Sequence, residues 1–553
     1  MRGLYSLLLI CAVILSVFCG CKKTQVLSDD DAAGDRKSAA GKNRAKNPYG
    51  DMLVIASIGE PLNLIPAIAH DSASHEAANL IYDGLITIDK DKNIKGALAE
   101  SWDVSPTDTS ITFYLRKDVT WHDGAPFTSK DVIFTYKFML DNNTPTSYDA
   151  DFRKITSIDA PDDYTVVVEY EEPYAPALIS WSIWIMPAHL LEGQLPAKSP
   201  LQRSPVGTGP YIFESWNANQ NLTLKSNPAY YEGQPYVEKV MFRYLQDQGA
   251  SFLELLQGGV DFMQLTAAQY EKQTDTERFR TFYNKYNYLA DSYSYIGYNL
   301  TRKPFDDKLV RQALSYATPR QEIIDSILHG HGVSATGPYK PGTYWHNPNV
   351  QSYATDLKKA RELLNASGWE LNEKGLLMKD KKAFRIELIT NQNTTRIQIA
   401  EILQKSWKEL GIEVDIRVAE WGAFISQHID KRNFDAVILS WNIVLDPDPN
   451  DVWNSSSCAD KKTLNFMCFK NEEADRLMSE GTSTFDPVKR KACYDRFQEI
   501  LAEEQPYTFL FVPESLSAVS KRFEGVEPAP AGLLYNLIDW YVPTGVQKYK
   551  IQR

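Results

Sequence analysis

Several things that would place this chain in a familiar class are missing. It has no cluster of basic residues: 59 Lys and Arg stand against 71 Asp and Glu, a formal charge of −12, which argues against a nucleic-acid partner. Catalytic signatures are also missing. There is no G-x-S-x-G nucleophile turn, no phosphate-binding glycine loop and no pair of cysteines at zinc spacing. His75-Glu76-Ala77-Ala78 opens like a zinc-protease helix, but Asn79 stands where the second His must complete the ligand pair. His329-Gly330-His331 is an isolated pair that reads as a loop. Asp89-Lys90-Asp91-Lys92-Asn93 with Glu100 mimics a calcium loop, yet Ile94 occupies the position whose sharp turn needs Gly; a strand-turn-strand hairpin accounts for the same residues. No catalytic residue, metal ligand or cofactor is therefore assigned, and an enzyme is not expected. Cysteine is scarce as well. Of six, Cys11, Cys19 and Cys21 lie near the start, leaving Cys458, Cys468 and Cys493. In an oxidising compartment Cys458 and Cys468, ten apart, are expected to close a loop, with Cys493 free.

The start of the chain reads as an export signal, with Arg2 followed by an apolar run from Leu7 to Phe18. That run is shorter than the roughly 20 residues that cross a bilayer. Phe18-Cys19-Gly20-Cys21 resembles a bacterial lipobox, which makes Cys21 the expected lipid-bearing residue after cleavage. Residues 22 to 47 carry many charges and almost no large apolar side chains, so they cannot bury enough surface to offset chain entropy. They read as a tether reaching roughly 25–30 Å from a membrane.

The remainder is rich in aromatics, with 12 Trp and 30 Tyr, too many for one small domain, and two or three lobes are expected. The fold class is α/β. In the second half the hydrophobic patterns predict a strand at Phe384 to Thr390, a helix at Thr395 to Leu410, a strand at Glu413 to Val418, a helix at Trp421 to Ile429 and a strand at Phe434 to Ser440. That alternation implies an open parallel sheet buried on both faces. Ligands of such sheets bind beyond the carboxyl ends of the strands. Those ends bring Asn391, Asn393 and Arg396, then Glu420 and Trp421, then Trp441, Asp446 and Asp448 to one edge. Amides, a guanidinium, two indoles and two carboxylates suit an extended ligand with both charges. Arg396, at a helix start, is placed to hold a carboxylate.

At this point the chain resembles the bacterial extracellular solute-binding proteins of family 5, the peptide and nickel receptors of ABC importers, and is most similar to the oligopeptide-binding branch. The resemblance rests on GEPLNLIPA at 59–67, ALAESWDVS at 97–105, FYLRKDVTWHDGAPFTSKDVIFTY at 113–136, PVGTGPYIFESW at 205–216, YIGYNLTRKPFDDKLVRQALSYA at 295–317, KELGIEVDIR at 408–417 and SWNIVLDPDPNDVWNSSS from residue 440. It implies a two-lobed, periplasmic-binding-protein-like clamshell with mixed sheets flanked by helices. Lobe I would comprise 48–91, 204–291 and 523–553, an extra subdomain 92–203, and lobe II 292–522. Within the matching motifs Glu60, Asn63, Thr208, Gly209 and Asn299 join the expected ligand-binding residues. The partners implied are an oligopeptide or related solute and ABC permease subunits, with the receptor a lipid-anchored monomer at the periplasm or outer face of the cell membrane. A nickel-chelate or sugar receptor and a non-transporting peptide chaperone or sensor are the alternatives. In peptide receptors of this family an Asp three residues after the Trp pairs with the peptide amine; here that position is Val444, so either Asp446 or Asp448 supplies the charge, or the amine is not clamped, which would permit longer or non-peptide ligands.

Overall fold

A computed structural model describes residues 48–550 apart from positions 58, 70, 147, 150, 246, 444 and 460–463. The expected export signal, Cys21 and the tether lie outside the described residues, as does Val444.

The molecule is organised by one strand. Tyr507–Ser520 is 14 residues long, and its two ends belong to different halves of a single 12-stranded sheet. Its first part pairs antiparallel with Ser292–Tyr298, and its last part pairs antiparallel with Phe262–Gln264 and Tyr283–Leu289. On the early side, Gly50–Ser57 lies parallel to Val237–Tyr244 and to Phe262–Gln264, followed outward by Asn221–Ser226 and Tyr211–Asn217. On the late side, Ala436–Asn442 pairs antiparallel with Ser292–Tyr298, then come Arg385–Asn391 and Glu413–Ala419, all three parallel to one another.

The parallel trio matches the reading of the sequence, but the sheet as a whole is mixed, because Ser292–Tyr298 runs against the trio. Nor is every strand of the trio buried on both faces. Glu413–Ala419 is the edge strand, and only Val414 in it is buried; with no neighbour beyond it, its outer residues stay in water. Helix Thr394–Lys408 covers the trio with Ile399, Ala400, Leu403 and Trp407.

A separate four-stranded antiparallel sheet, built from residues 99–170, carries its own core, in which Phe113, Trp121, Phe127, Val166 and Trp181 are buried. The C-terminal stretch returns to the early side, where Phe523, Leu537, Trp540 and Val542 pack on Leu53, Leu222 and Val240. Arg522 anchors that return. It bonds Asp261 at 2.7 and 3.0 Å and also pairs with Asp51, so two carboxylates that are almost fully buried share one guanidinium.

Candidate functional site

Strand directions show which edges of the sheet meet where the chain crosses between its halves. In the late half, Ser292 pairs with Asn442 and Ser294 with Phe511, so the carboxyl ends of Ala436–Asn442 and its parallel neighbours lie where the chain crosses between halves. In the early half, Gln264 pairs with Ser517 and Leu289 with Glu514. The carboxyl end of Phe262–Gln264, and with it the edge at Ser57 and Tyr244, therefore meets the same crossing. The two carboxyl-end edges face each other across it.

On the late edge the structure brings together Asn391, Asn393, Arg396, Ser440 and Trp441. Asn393 caps the helix Thr394–Lys408 by accepting from the Arg396 amide at 3.0 Å. This is the cap a helix needs for its otherwise unpaired first-turn amides. The Arg396 side chain turns back to the sheet, donating to Asn391 Oδ1 at 2.9 Å and Ser440 Oγ at 3.3 Å. Both partners are neutral, and among the described residues no carboxylate pairs with this guanidinium. Burial draws its pKa down from the usual value, with Tyr295 opposing; an arginine stays charged regardless. Trp441 is half-buried, stacked near Phe466 (5.5 Å, 22°) and Tyr295 (6.5 Å, 10°), and donates to Tyr507 OH at 3.2 Å. Trp421 is 51% exposed at the end of the edge strand, leaning on Phe424.

The two aspartates of the DPDP segment are already committed. Asp446 forms a two-pronged pair with Arg490 of the helix Pro487–Glu504, Nη1 to Oδ2 at 3.0 Å and Nη2 to Oδ1. Asp448 reaches the antiparallel subdomain, accepting from Lys154 at 3.1 Å and from Tyr174 at 3.0 Å, and caps Asn450. Burial raises the cost of charging Asp448, but Lys154 and the Asn450 bonds outweigh it and hold its pKa below the usual range. Each of the two carboxylates is thus neutralised within the chain in this structure, Asp446 by Arg490 and Asp448 by Lys154.

Other expected ligand residues also serve the fold. Asn299 lies past the end of Ser292–Tyr298, at the opposite edge from Trp441, about 20 Å along the strand. Its amide is saturated by Arg432 O, Phe434 O and Thr301. Thr208 and Gly209 precede Tyr211–Asn217 and sit at the edge opposite Ser57. There Gly209 donates to Ile81 O at 2.8 Å, and a Cβ on Gly207 would fall 1.8 Å from Ile81 O; the glycines admit the end of helix Ser72–Ile81. Asn63 shapes a turn through Ile65 N and Ile68 O. Glu60 is at the correct edge, but its carboxylate accepts from Trp216 at 2.7 Å, Asn219 at 2.9 Å and Arg203 at 3.0 Å. Cys458 and Cys468 are joined in a disulfide, and Cys493 is free.

Sequence reasoning missed Ser440, which the alternation of Ala436–Asn442 could have aimed at Arg396, and Arg490, Lys154 and Tyr174, for which no local signal exists.

Comparison with known proteins agrees with this geometry. A family model described as bacterial extracellular solute-binding proteins, family 5 middle, matches residues 93–463. The oligopeptide-binding protein AppA of Bacillus subtilis is 33% identical over 554 residues, covering 97% of this chain and 98% of that protein. The structure of AppA in complex with a nonapeptide matches with a TM-score of 0.80 at 32% identity, over 90% of this chain and all of that one. NikZ from Campylobacter jejuni in complex with Ni(L-His) matches with a TM-score of 0.80 at 26% identity, over 89% of this chain and 99% of that one. The chain belongs to the bacterial extracellular solute-binding proteins of family 5.

Proposed function

We propose that the protein is an extracytoplasmic receptor of an ABC importer, not an enzyme, binding oligopeptides in the crevice between lobe I (48–91, 204–291, 523–553) and lobe II (292–522) and passing them to a permease. Lipid at Cys21 would tether it, as a monomer, to the membrane. The observation that carries the reading is Arg396, a positive group at the carboxyl-end edge with only neutral partners, in a family whose member AppA is known with a nonapeptide bound. A carboxylate is the group such a fork holds best. Because Asp446 and Asp448 are both occupied, the peptide amine is not clamped by the DPDP segment, which suits ligands of several lengths. Trp421 and Trp441 supply apolar surface beside the charge.

Native mass spectrometry of the purified mature chain tests this. Co-purifying peptides of several lengths are expected. A discrete nickel-bearing mass, as the likeness to NikZ would allow, overturns the peptide reading.

The subdomain 92–203 would act in closure, the two lobes moving as rigid bodies about the crossing. Support comes from Asp448 with Lys154 and Tyr174, and from the bond of Ala175 N to Thr482 O at 2.8 Å, each joining subdomain to lobe II. Lys154 is partly in water, which screens the pair. Asp448→Ala is therefore expected to weaken peptide affinity only about twofold to fivefold, with faster dissociation in stopped-flow experiments. An unchanged dissociation rate would show that the contact does not hold the closed form.

A further inference from the structure

Two short segments connect the halves: Ala290-Asp291, between strands Tyr283–Leu289 and Ser292–Tyr298, and the middle of Tyr507–Ser520 around Pro513. His331 lies against the second. It immediately precedes the short strand Gly332–Ser334, which pairs with Tyr507–Ser520 at Pro513, Val512 and Phe511, and its carbonyl accepts from Glu514 N at 3.0 Å. The ring then spans the crossing. Nδ1 is 2.7 Å from Glu514 Oε2, on the connecting strand, and Nε2 is 2.7 Å from Glu271 Oε1, on the one-turn helix Gln269–Gln273 of the early half.

Ionised carboxylates only accept hydrogen bonds, and a neutral imidazole donates from one nitrogen. Two such contacts at 2.7 Å require the imidazolium. On losing its proton the ring would set a bare nitrogen lone pair against a carboxylate, and one side of the bridge would become repulsive.

We propose that His331 is a proton-operated clasp across the interlobe crossing: protonated, it ties lobe II to Glu271 of lobe I in the arrangement seen here, and deprotonated, it lets the lobes part. The surroundings are consistent with this. The Tyr270 ring stands edge-on to the imidazole at 4.9 Å. Asn287 donates to Glu514 Oε2 at 2.8 Å, fixing that carboxylate. The basic side chains nearby are Lys285, whose Nζ lies over the Tyr270 ring and donates to Tyr270 O, and His329 two residues before. Burial alone would lower the pKa of His331, but the bonds to Glu514 and Glu271 raise it above the ordinary 6.5. With a raised pKa the stabilisation is complete below the ordinary value and fades as pH climbs through the raised one.

The other connecting segment lacks this sensitivity. Asp291 is held by Lys92 at 2.5 Å and by Lys340 at 3.1 Å, and no imidazole takes part. Loss of the His331 proton therefore loosens one connection while the other stays tied, a change in lobe angle without unfolding.

The test is small-angle scattering of the mature chain from pH 5.5 to 8.5, alongside a histidine-labelled NMR titration in which His331 is assigned by its loss in His331→Gln. The radius of gyration is expected to rise with pH along the His331 titration curve, and to lose that pH dependence both in His331→Gln and in Glu271→Gln, whose amide can accept from the imidazolium or donate to the neutral ring. Identical pH profiles in the wild type and both variants overturn the proposal, as does a His331 resonance that titrates with no change in radius or fails to titrate in this range. None of these readouts depends on which solute the crevice binds, so failure here is distinct from failure of the peptide reading.

Discussion

Asp446→Ala is expected to cost about 3 kcal/mol of stability, the scale of stripping one partner from a mostly buried ion pair, while the ligand affinity of the surviving folded protein changes much less. Arg490 is the reason. Its side chain is 7% exposed and that of Asp446 18%, so the bare guanidinium would keep Gly481 O, at 2.9 Å, and the faces of Trp345 and Tyr494, 4.9 and 5.7 Å away, with no counter-charge. Removing both charges removes the problem. The double variant Asp446→Ala with Arg490→Met should recover much of the loss, since a buried pair replaced by apolar side chains is often close to neutral. Thermal unfolding and calorimetric binding on the same samples separate the alternatives. If Asp446→Ala melts like the wild type yet binds peptide tenfold more weakly, Asp446 contacts the ligand amine after all.

The contrast between Asp446 and Arg396 shows which parts of the site were legible beforehand. The parallel trio was, because each strand, its cap and its helix are contiguous: Asn391, Asn393 and Arg396 lie within one turn of chain, and Asn393 caps the very helix that carries Arg396. Charge pairing over long separations was not. Arg490 lies 44 residues from Asp446, and Lys154 lies 294 from Asp448, distances at which no periodicity carries information. Asn299 entered through the family motif alone; its strand runs antiparallel to the trio, which sends it to the far edge. Gly207 and Gly209 permit a close approach of backbone, and what approaches is the carbonyl of Ile81. His331 looked like half of an isolated pair because Glu271 and Glu514 are 60 and 183 residues away.

Arg396→Ala is expected to weaken binding of a free-acid peptide roughly 10- to 100-fold, which corresponds to the 1.5–3 kcal/mol of a hydrogen bond to a charged group. The fold should tolerate the change, because the Arg396 side chain bonds only Asn391 and Ser440, both close enough to solvent to be hydrated in its absence, and the cap made by Asn393 uses the backbone amide. Lysine is a poor substitute, since it presents a point charge where the site offers a planar fork held by Asn391. The decisive comparison is with a C-terminally amidated peptide. If the guanidinium meets the terminal carboxylate, amidation should weaken the wild type by a similar factor and the variant hardly at all, and the two changes should be strongly non-additive in calorimetry. Additive losses would mean that Arg396 and the peptide terminus act independently, with the arginine holding the edge of the sheet and some other group reading the carboxylate.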